Sequence, residues 1–176
     1  MRAFQVSKIG EPAELSQVTA PNAAFSEVLV KISTCGLNFA DLLMQTGQYQ
    51  DTPPAPFTLG MEIAGTVEAL GEGVTSPAIG TRVAVFGGQG GLADYGTYDA
   101  RTAIEIPDKM SMTDAAAFQI AYGTSHVALG YRANLQAGET LLVLGAAGGV
   151  GLTAVEIGKL MGSTVIAVAR GADKLE

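Results

Sequence analysis

A chain of 176 residues, 48 % of them hydrophobic and 23 of them glycine, has material for one ordinary domain, or for a domain and part of another. Its formal net charge of −7 and the shortness of its basic clusters argue against nucleic-acid binding. Its one cysteine, Cys35, excludes a disulfide framework and a cysteine-rich zinc site, and suits a reducing, cytoplasmic setting.

Residues 1–110 read as many short strands separated by turns. No positively charged flank followed by an apolar core opens them, so no signal peptide is expected. Residues 27–33 alternate well, as do 62–70, which end at Gly71-Glu72-Gly73. Residues 81–86 follow Gly80 and stop at Gly87-Gly88-Gln89-Gly90-Gly91, and 95–106 hold one or two more strands closed by Pro107. Between them, 39–46 predict a short helix and 51–56 a rigid, proline-rich loop. Strands at this spacing suggest a barrel or rolled sheet. The character changes at Ser111. Ser111-Met112-Thr113-Asp114 has the form of a capping box, with Asp in place of the longer Glu. A helix starts at Asp114, Gly123 is expected to break it, and a second helix runs over 125–133 before a turn at 134–139.

The next stretch is the most informative. Leu141-Leu142-Val143-Leu144 leads straight into Gly145-Ala146-Ala147-Gly148-Gly149-Val150-Gly151, and residues 152–160 read as a helix. Residues 164–169 follow as a second strand. Strand, glycine turn, helix and strand make the opening of a dinucleotide-binding βαβ unit. The spacing is G-x-x-G-x-x-G, not G-x-G-x-x-G: Ala147 replaces one glycine and Gly149 adds another. The roles can still be filled, one glycine for the tight turn, one for close approach of backbone to a pyrophosphate, and one for helix packing on strand. Free N–H groups and the helix dipole favour an anion there. The glycines interrupt residues 140–155, a long uncharged stretch, which reads as strand, turn and helix, so no membrane span is expected.

A site for NAD places an acid at the end of the second strand to hold the ribose hydroxyls. Here the strand ends in Ala169-Arg170, and Lys174 lies just beyond. Positive charge where a 2′-phosphate would lie predicts NADP(H), with Asp173 the one feature against it.

Taken in order, several segments resemble the medium-chain dehydrogenase/reductase superfamily, and most closely its zinc-independent quinone oxidoreductase branch, the zeta-crystallin-like proteins. They are Gly36-Leu37-Asn38-Phe39-Ala40-Asp41, Gly60-Met61-Glu62-Ile63-Ala64-Gly65-Thr66-Val67, Gly80-Thr81-Arg82-Val83, Ala115-Ala116-Ala117 and Ala146-Ala147-Gly148-Gly149-Val150-Gly151. The resemblance spans essentially the whole chain. It implies an α/β protein with a β-rich N-terminal part: a GroES-like barrel, the catalytic and substrate domain, over 1–122, then the N-terminal portion of a Rossmann NADP-binding domain, a doubly wound parallel sheet, over 123–176. In zinc-dependent members a cysteine ligand stands where this chain has Asn38, and a histidine ligand where it has Met61. Neither Asn nor Met is a good zinc ligand, so no metal is expected.

The resemblance assigns roles by position. Asn38 matches an asparagine near the nicotinamide ribose and the acceptor, whose amide can donate to a developing enolate or quinol oxygen; as an alternative it caps the loop. Tyr49 matches a tyrosine of the acceptor pocket that donates a proton or only packs. Thr124 matches a threonine at the nicotinamide end. Gly145, Ala147, Gly148, Gly149, Val150 and Gly151 form the pyrophosphate turn, and Lys174 matches a lysine on the 2′-phosphate. Arg170 rests on its charge alone. His126 and Cys35 read as structural, and Asp41 and Glu62 as structural hydrogen-bonding residues.

The implied function is NADPH-dependent hydride transfer to quinones or enones, as in NADPH:quinone oxidoreductases and alkenal-enone reductases, with a small-molecule acceptor and a homodimer in the full-length form. A doubly wound domain has about six strands, so the chain is expected to be a fragment with little activity alone. The alternatives are a non-enzymatic NADPH-binding protein of crystallin-like or vesicle-associated type and, against the missing ligands, a zinc alcohol dehydrogenase.

Overall fold

A computed structural model describes residues 1–171 and Lys174. The chain divides into two compact units, Met1–Ala117 and Phe118–Glu176.

The first unit is built from antiparallel sheet. β1 (Arg2–Val6) pairs with β2 (Glu14–Gln17) on one side and β4 (Phe57–Thr58) on the other. β3 (Glu27–Gly36), β5 (Glu62–Leu70), β6 (Arg82–Phe86), β7 (Tyr95–Asp99) and β8 (Ala103–Glu105) form a separate five-stranded sheet in the order β7-β3-β5-β6-β8. Period-two alternation sends Val28, Val30, Ile63, Val67, Val83, Val85 and Tyr98 to one face, where they make the main core. Ala64 and Ala84 face the other way and meet Ile106, Ala115 and Ala116. Their small size matters, because the start of α2 (Met112–His126) comes close to the sheet there. A Cβ at Gly36 would lie 2.6 Å from the Ala116 carbonyl oxygen.

The barrel expected from the sequence does not form. The strands are shared between an open five-stranded sheet and a three-stranded one, and no ladder joins the edge strands β7 and β8. Two local features explain this. Asp99 turns the chain out of β7 by accepting the Arg101 N–H at 2.9 Å, and Thr102 Oγ1 donates back to the Asp99 carbonyl at 2.8 Å. β8 is then only three residues long, all of them paired to β6. β1, a further candidate to close the sheet, is occupied by β2 and β4 and makes with the segment before β7 an isolated bridge at Ala3–Ala93 and no continuous ladder.

α2 begins at Met112, two residues before the expected start, behind the expected cap. Ser111 Oγ accepts the Asp114 N–H at 3.0 Å and donates to Asp114 Oδ2 at 2.6 Å, so the short Asp side chain meets the hydroxyl. Gly123 does not break the helix, which continues to His126 and then widens into π-helical turns over Val127–Arg132. A mid-helix glycine costs only about 1 kcal/mol relative to alanine, within reach of tertiary packing.

In the second unit, β9 (Thr140–Leu144), α3 (Gly149–Leu160) and β10 (Thr164–Val168) form a βαβ arrangement, with β9 and β10 parallel and in register from Thr140–Thr164 to Leu144–Val168. α3 lies close to the strands at Gly158, where a Cβ would come 2.5 Å from Leu141 Cδ2. Among the described residues no helix is long and apolar enough to cross a membrane.

Candidate functional site

In the first unit, the chain leaves β3 and turns into α1 (Phe39–Gln45), with Asn38 as its N-cap in extended conformation. The Asn38 backbone N–H donates to Asp41 Oδ2 at 2.9 Å, the return arm of a capping box. The other oxygen of the same carboxylate, Oδ1, accepts the Gly60 N–H at 2.9 Å. Asp41 is buried, so one carboxylate ties the start of α1 to the turn before β5. The Asn38 side chain is fixed in turn: Nδ2 donates to Oε1 of buried Glu62 at 2.9 Å. An amide nitrogen carries two protons, and this bond uses one while holding the amide plane in place.

Asn38, Asp41 and Cys35 line a cavity of about 760 Å³ together with the apolar side chains of Phe4, Leu15 and Leu92. Arg2, which also lines it, is already paired with Asp94 at 2.8 Å. Burial, and then the nearby Asp41 and Glu62 carboxylates, push the Cys35 thiol up to about 12. The thiol is therefore protonated at neutral pH and a poor nucleophile. An apolar cavity with one oriented amide suits an uncharged molecule bearing a hydrogen-bond acceptor. Tyr49 is half-buried but does not line this cavity; its carbonyl is held by Thr52 Oγ1 at 2.6 Å. Met61 is buried, and its carbonyl accepts the Gly87 and Gly88 N–H groups at 2.9 and 3.0 Å. Among the described residues no three His, Cys, Asp or Glu side chains converge as a metal site.

In the second unit the glycine turn connects β9 to α3. Gly145 takes φ +76°, a left-handed conformation that favours glycine. The Gly145 and Ala146 N–H groups both donate to the Val168 carbonyl at 2.9 Å, which anchors the turn to the end of β10. A Cβ on Gly151 would overlap the Gly145 carbonyl oxygen and sit 2.8 Å from Ala146 Cα, so this glycine is what lets α3 pack on the turn. Gly148 and Gly149 differ. A Cβ on Gly148 would make ordinary contact at 3.4 Å, and one on Gly149 would meet nothing. The chain's own packing asks for glycine at 145 and 151, and leaves 148 and 149 open to the outside. The N–H groups of Gly149, Val150 and Gly151 are the first of α3, and a helix offers its first N–H groups no internal acceptor. With the helix dipole they suit an anion.

A second cavity, of about 360 Å³, is lined by Ala146, Ala147, Leu152, Val155, Ala169 and Lys174, among others. It brings Lys174 together with the glycine turn, while Arg170 is exposed and does not line it. Asp173 lies outside the described residues. Thr124 is exposed on α2, and its neighbour Ser125 is buried. Two residues that sequence reasoning missed lie here. Ser125 Oγ donates to the Val150 carbonyl at 2.8 Å and shares a 2.7 Å hydrogen bond with Thr153 Oγ1. Thr153 Oγ1 also lies 3.0 Å from the Ala121 carbonyl oxygen, an alternative acceptor for its one proton. The only signal in the sequence is a hydroxyl inside the apolar run after the glycines, and such residues are common in helices.

Residues 25–108 match the alcohol dehydrogenase GroES-like domain family. The quinone oxidoreductase-like protein 2 homolog of Nematostella vectensis is 40% identical over 172 residues, which cover 96% of this chain and 47% of that protein. Among solved structures, the quinone oxidoreductase of Thermus thermophilus, determined also in complex with NADPH, superposes with a TM-score of 0.88 at 36% identity over 99% of this chain and 55% of its own. A human synaptic vesicle membrane protein VAT-1 homolog-like protein gives a TM-score of 0.94 at 33% identity, over 99% of this chain and 57% of that one. The chain thus spans about half the length of the curated relatives it matches. The chain belongs to the medium-chain dehydrogenase/reductase superfamily, in its quinone oxidoreductase, zeta-crystallin-like branch.

Proposed function

We propose that the whole protein is an NADPH-dependent, zinc-independent oxidoreductase that reduces quinones or other conjugated carbonyl compounds. The observation that carries this reading is the glycine turn: Gly148 and Gly149 satisfy no steric need of the fold, yet they stand at the start of α3 with open space where a Cβ would project. That is what close approach of a pyrophosphate to backbone requires. The likeness to a quinone oxidoreductase determined with NADPH supports the same ligand.

In this reading the N–H groups of Gly149, Val150 and Gly151 hold the pyrophosphate, and Lys174, on the cavity beside Ala146 and Ala147, holds the 2′-phosphate. Arg170 adds positive charge near the same strand end. Thr124 contacts the nicotinamide end. NADPH supplies the hydride that reduces the acceptor. Asn38 donates through its amide to the acceptor oxygen as negative charge gathers there, and Glu62 keeps that amide from rotating away. A positioned donor of this kind accounts for roughly 2.7–4 kcal/mol where one has been removed from an oxyanion site. Asn38 and Met61, at the ligand positions of zinc-dependent members, have the wrong chemistry for zinc, which supports metal-free reduction. A homodimer in a cytoplasmic setting completes the proposal; the single free thiol, Cys35, suits a reducing compartment.

NADPH oxidation followed with benzoquinone, with an enone and, in reverse, with an alcohol tests the reading. Turnover with the first two and not the third is expected, and Asn38→Ala lowers kcat more than it raises KM. Under the same assay Tyr49→Phe separates proton donation, read as lost kcat, from packing. NADPH binding without turnover of any acceptor would favour the non-enzymatic alternative, which the likeness to the VAT-1 homolog-like protein keeps in view.

A further inference from the structure

We propose that Ser125 and Thr153 are positioning residues for the phosphate-binding turn, a role that presupposes that this turn holds the NADPH pyrophosphate. Both hydroxyls are buried, at 1% and 6% exposure, in an apolar helix–helix contact. A buried hydroxyl is tolerated only when bonded. Here the two bond to each other and to backbone. Ser125 Oγ donates to the Val150 carbonyl at 2.8 Å, and Thr153 Oγ1 lies 3.0 Å from the same oxygen. Thr153 also reaches across to the Ala121 carbonyl on α2 at 3.0 Å. A threonine that bonds only to the carbonyls one turn behind it would be unremarked; these two hydroxyls instead fasten the first turn of α3 to α2.

Peptide geometry turns that fastening into aim. The Val150 carbonyl and the Gly151 N–H belong to one planar trans peptide, so they point in opposite directions. Holding the oxygen from behind fixes where the N–H points in front. The same hydroxyl pair sets the rotation of α2. With Ser125 turned inward, the adjacent Thr124 lies about 100° round the helix, on its exposed side. One buried pair thus governs both the phosphate-facing N–H groups and the residue assigned to the nicotinamide end.

The test is equilibrium binding to the full chain. NADPH is titrated by nicotinamide fluorescence. 2′-Phospho-ADP-ribose, which has the pyrophosphate, and adenosine 2′-monophosphate, which lacks it, are titrated by calorimetry. Ser125→Ala and Thr153→Val, the second close to isosteric, should each weaken NADPH and 2′-phospho-ADP-ribose by about 5- to 20-fold, the loss of one or two hydrogen bonds. They should leave adenosine 2′-monophosphate within about 2-fold, because it is held at Lys174 and not at the turn. Thr153→Ser, which keeps the hydroxyl, should restore binding. Unchanged NADPH affinity in both variants overturns the proposal, as does an equal loss for all three ligands, which would mark general damage to the unit. If Thr153→Val fails to fold, Ser125→Ala decides alone. A parent that binds none of the three defeats the NADPH reading itself, and the positioning role with it.

Discussion

Replacing Gly149 and Gly151 separately by alanine distinguishes a glycine that the fold needs from one reserved for a ligand. At 151 the new Cβ would overlap the Gly145 carbonyl oxygen and lie 2.8 Å from Ala146 Cα, both backbone atoms that cannot swing aside. Overpacking of this kind costs about 1–3 kcal/mol, and contact with backbone puts it at the upper end. Alanine recovers up to about 1 kcal/mol of helix propensity. The balance is a destabilisation of roughly 2 kcal/mol for Gly151→Ala, from those two terms. At 149 the Cβ meets nothing, so only the propensity gain remains, about 0.5 kcal/mol at this first helical position. Urea unfolding of the two variants and the parent gives the stabilities, and fluorescence titration gives NADPH affinity. Gly149→Ala should hold or raise the urea midpoint yet weaken NADPH by at least about 10-fold, or 1.4 kcal/mol. A Gly149→Ala protein that binds NADPH as tightly as the parent would refute the reasoning that this backbone is kept bare for a phosphate. A Gly151→Ala protein of parental stability would refute the packing argument.

Lys174→Ala should weaken NADPH by about 10-fold while leaving NADH unchanged, with the preference for NADPH shrinking as salt rises; an equal effect on both nucleotides would remove the 2′-phosphate from Lys174. Asp41→Ala strips acceptors from the Asn38 and Gly60 N–H groups and should destabilise the first unit by about 2–4 kcal/mol, one buried unsatisfied donor accounting for about 1–3; a change below about 1 kcal/mol, by urea unfolding, counts against the clasp. Cys35, with its thiol pushed up to about 12, should react slowly with iodoacetamide at pH 8 and faster at each higher pH. Because its folded value is raised above the ordinary 9.0, its contribution to stability is present below pH 9 and is lost as pH rises towards 12. A reaction rate flat from pH 8 to 10 would contradict the burial that raises it.

The glycine turn was legible in the sequence because its constraints are local: a left-handed residue, a close approach and a helix start all fall within seven positions. The strands over 27–33 and 62–70 were legible for a similar reason, since alternation writes the buried face directly into the chain. β1, β2 and β4 were not resolved, because each is short and exists through pairing with a distant segment, β1 with β4 above all. The closed barrel was wrong because closure depends on whether two edge strands find each other, and no local pattern records that Asp99 turns the chain away before β8. Gly123 was misjudged as a breaker because propensity is a weak local term against the packing around α2. At the site, Asn38 is the cap of α1, as one of its two readings has it, and it also lines the cavity of the first unit. Ser125 and Thr153 stayed invisible because a buried hydroxyl pair is a relation between two helices.

The clasp at Asp41 has a consequence for how such a chain can vary. The two segments it joins are 19 positions apart in sequence, and the excursion between them contains the proline-rich loop and Tyr49. With both ends pinned by one carboxylate, that loop can be lengthened, shortened or rewritten while the Asn38 amide stays where it is. Doubling a flexible loop costs only about 0.6 kcal/mol in closure entropy. The segment can therefore diverge without disturbing the amide, and loops swapped between relatives should leave the Asn38–Glu62 hydrogen bond and the stability of the first unit intact.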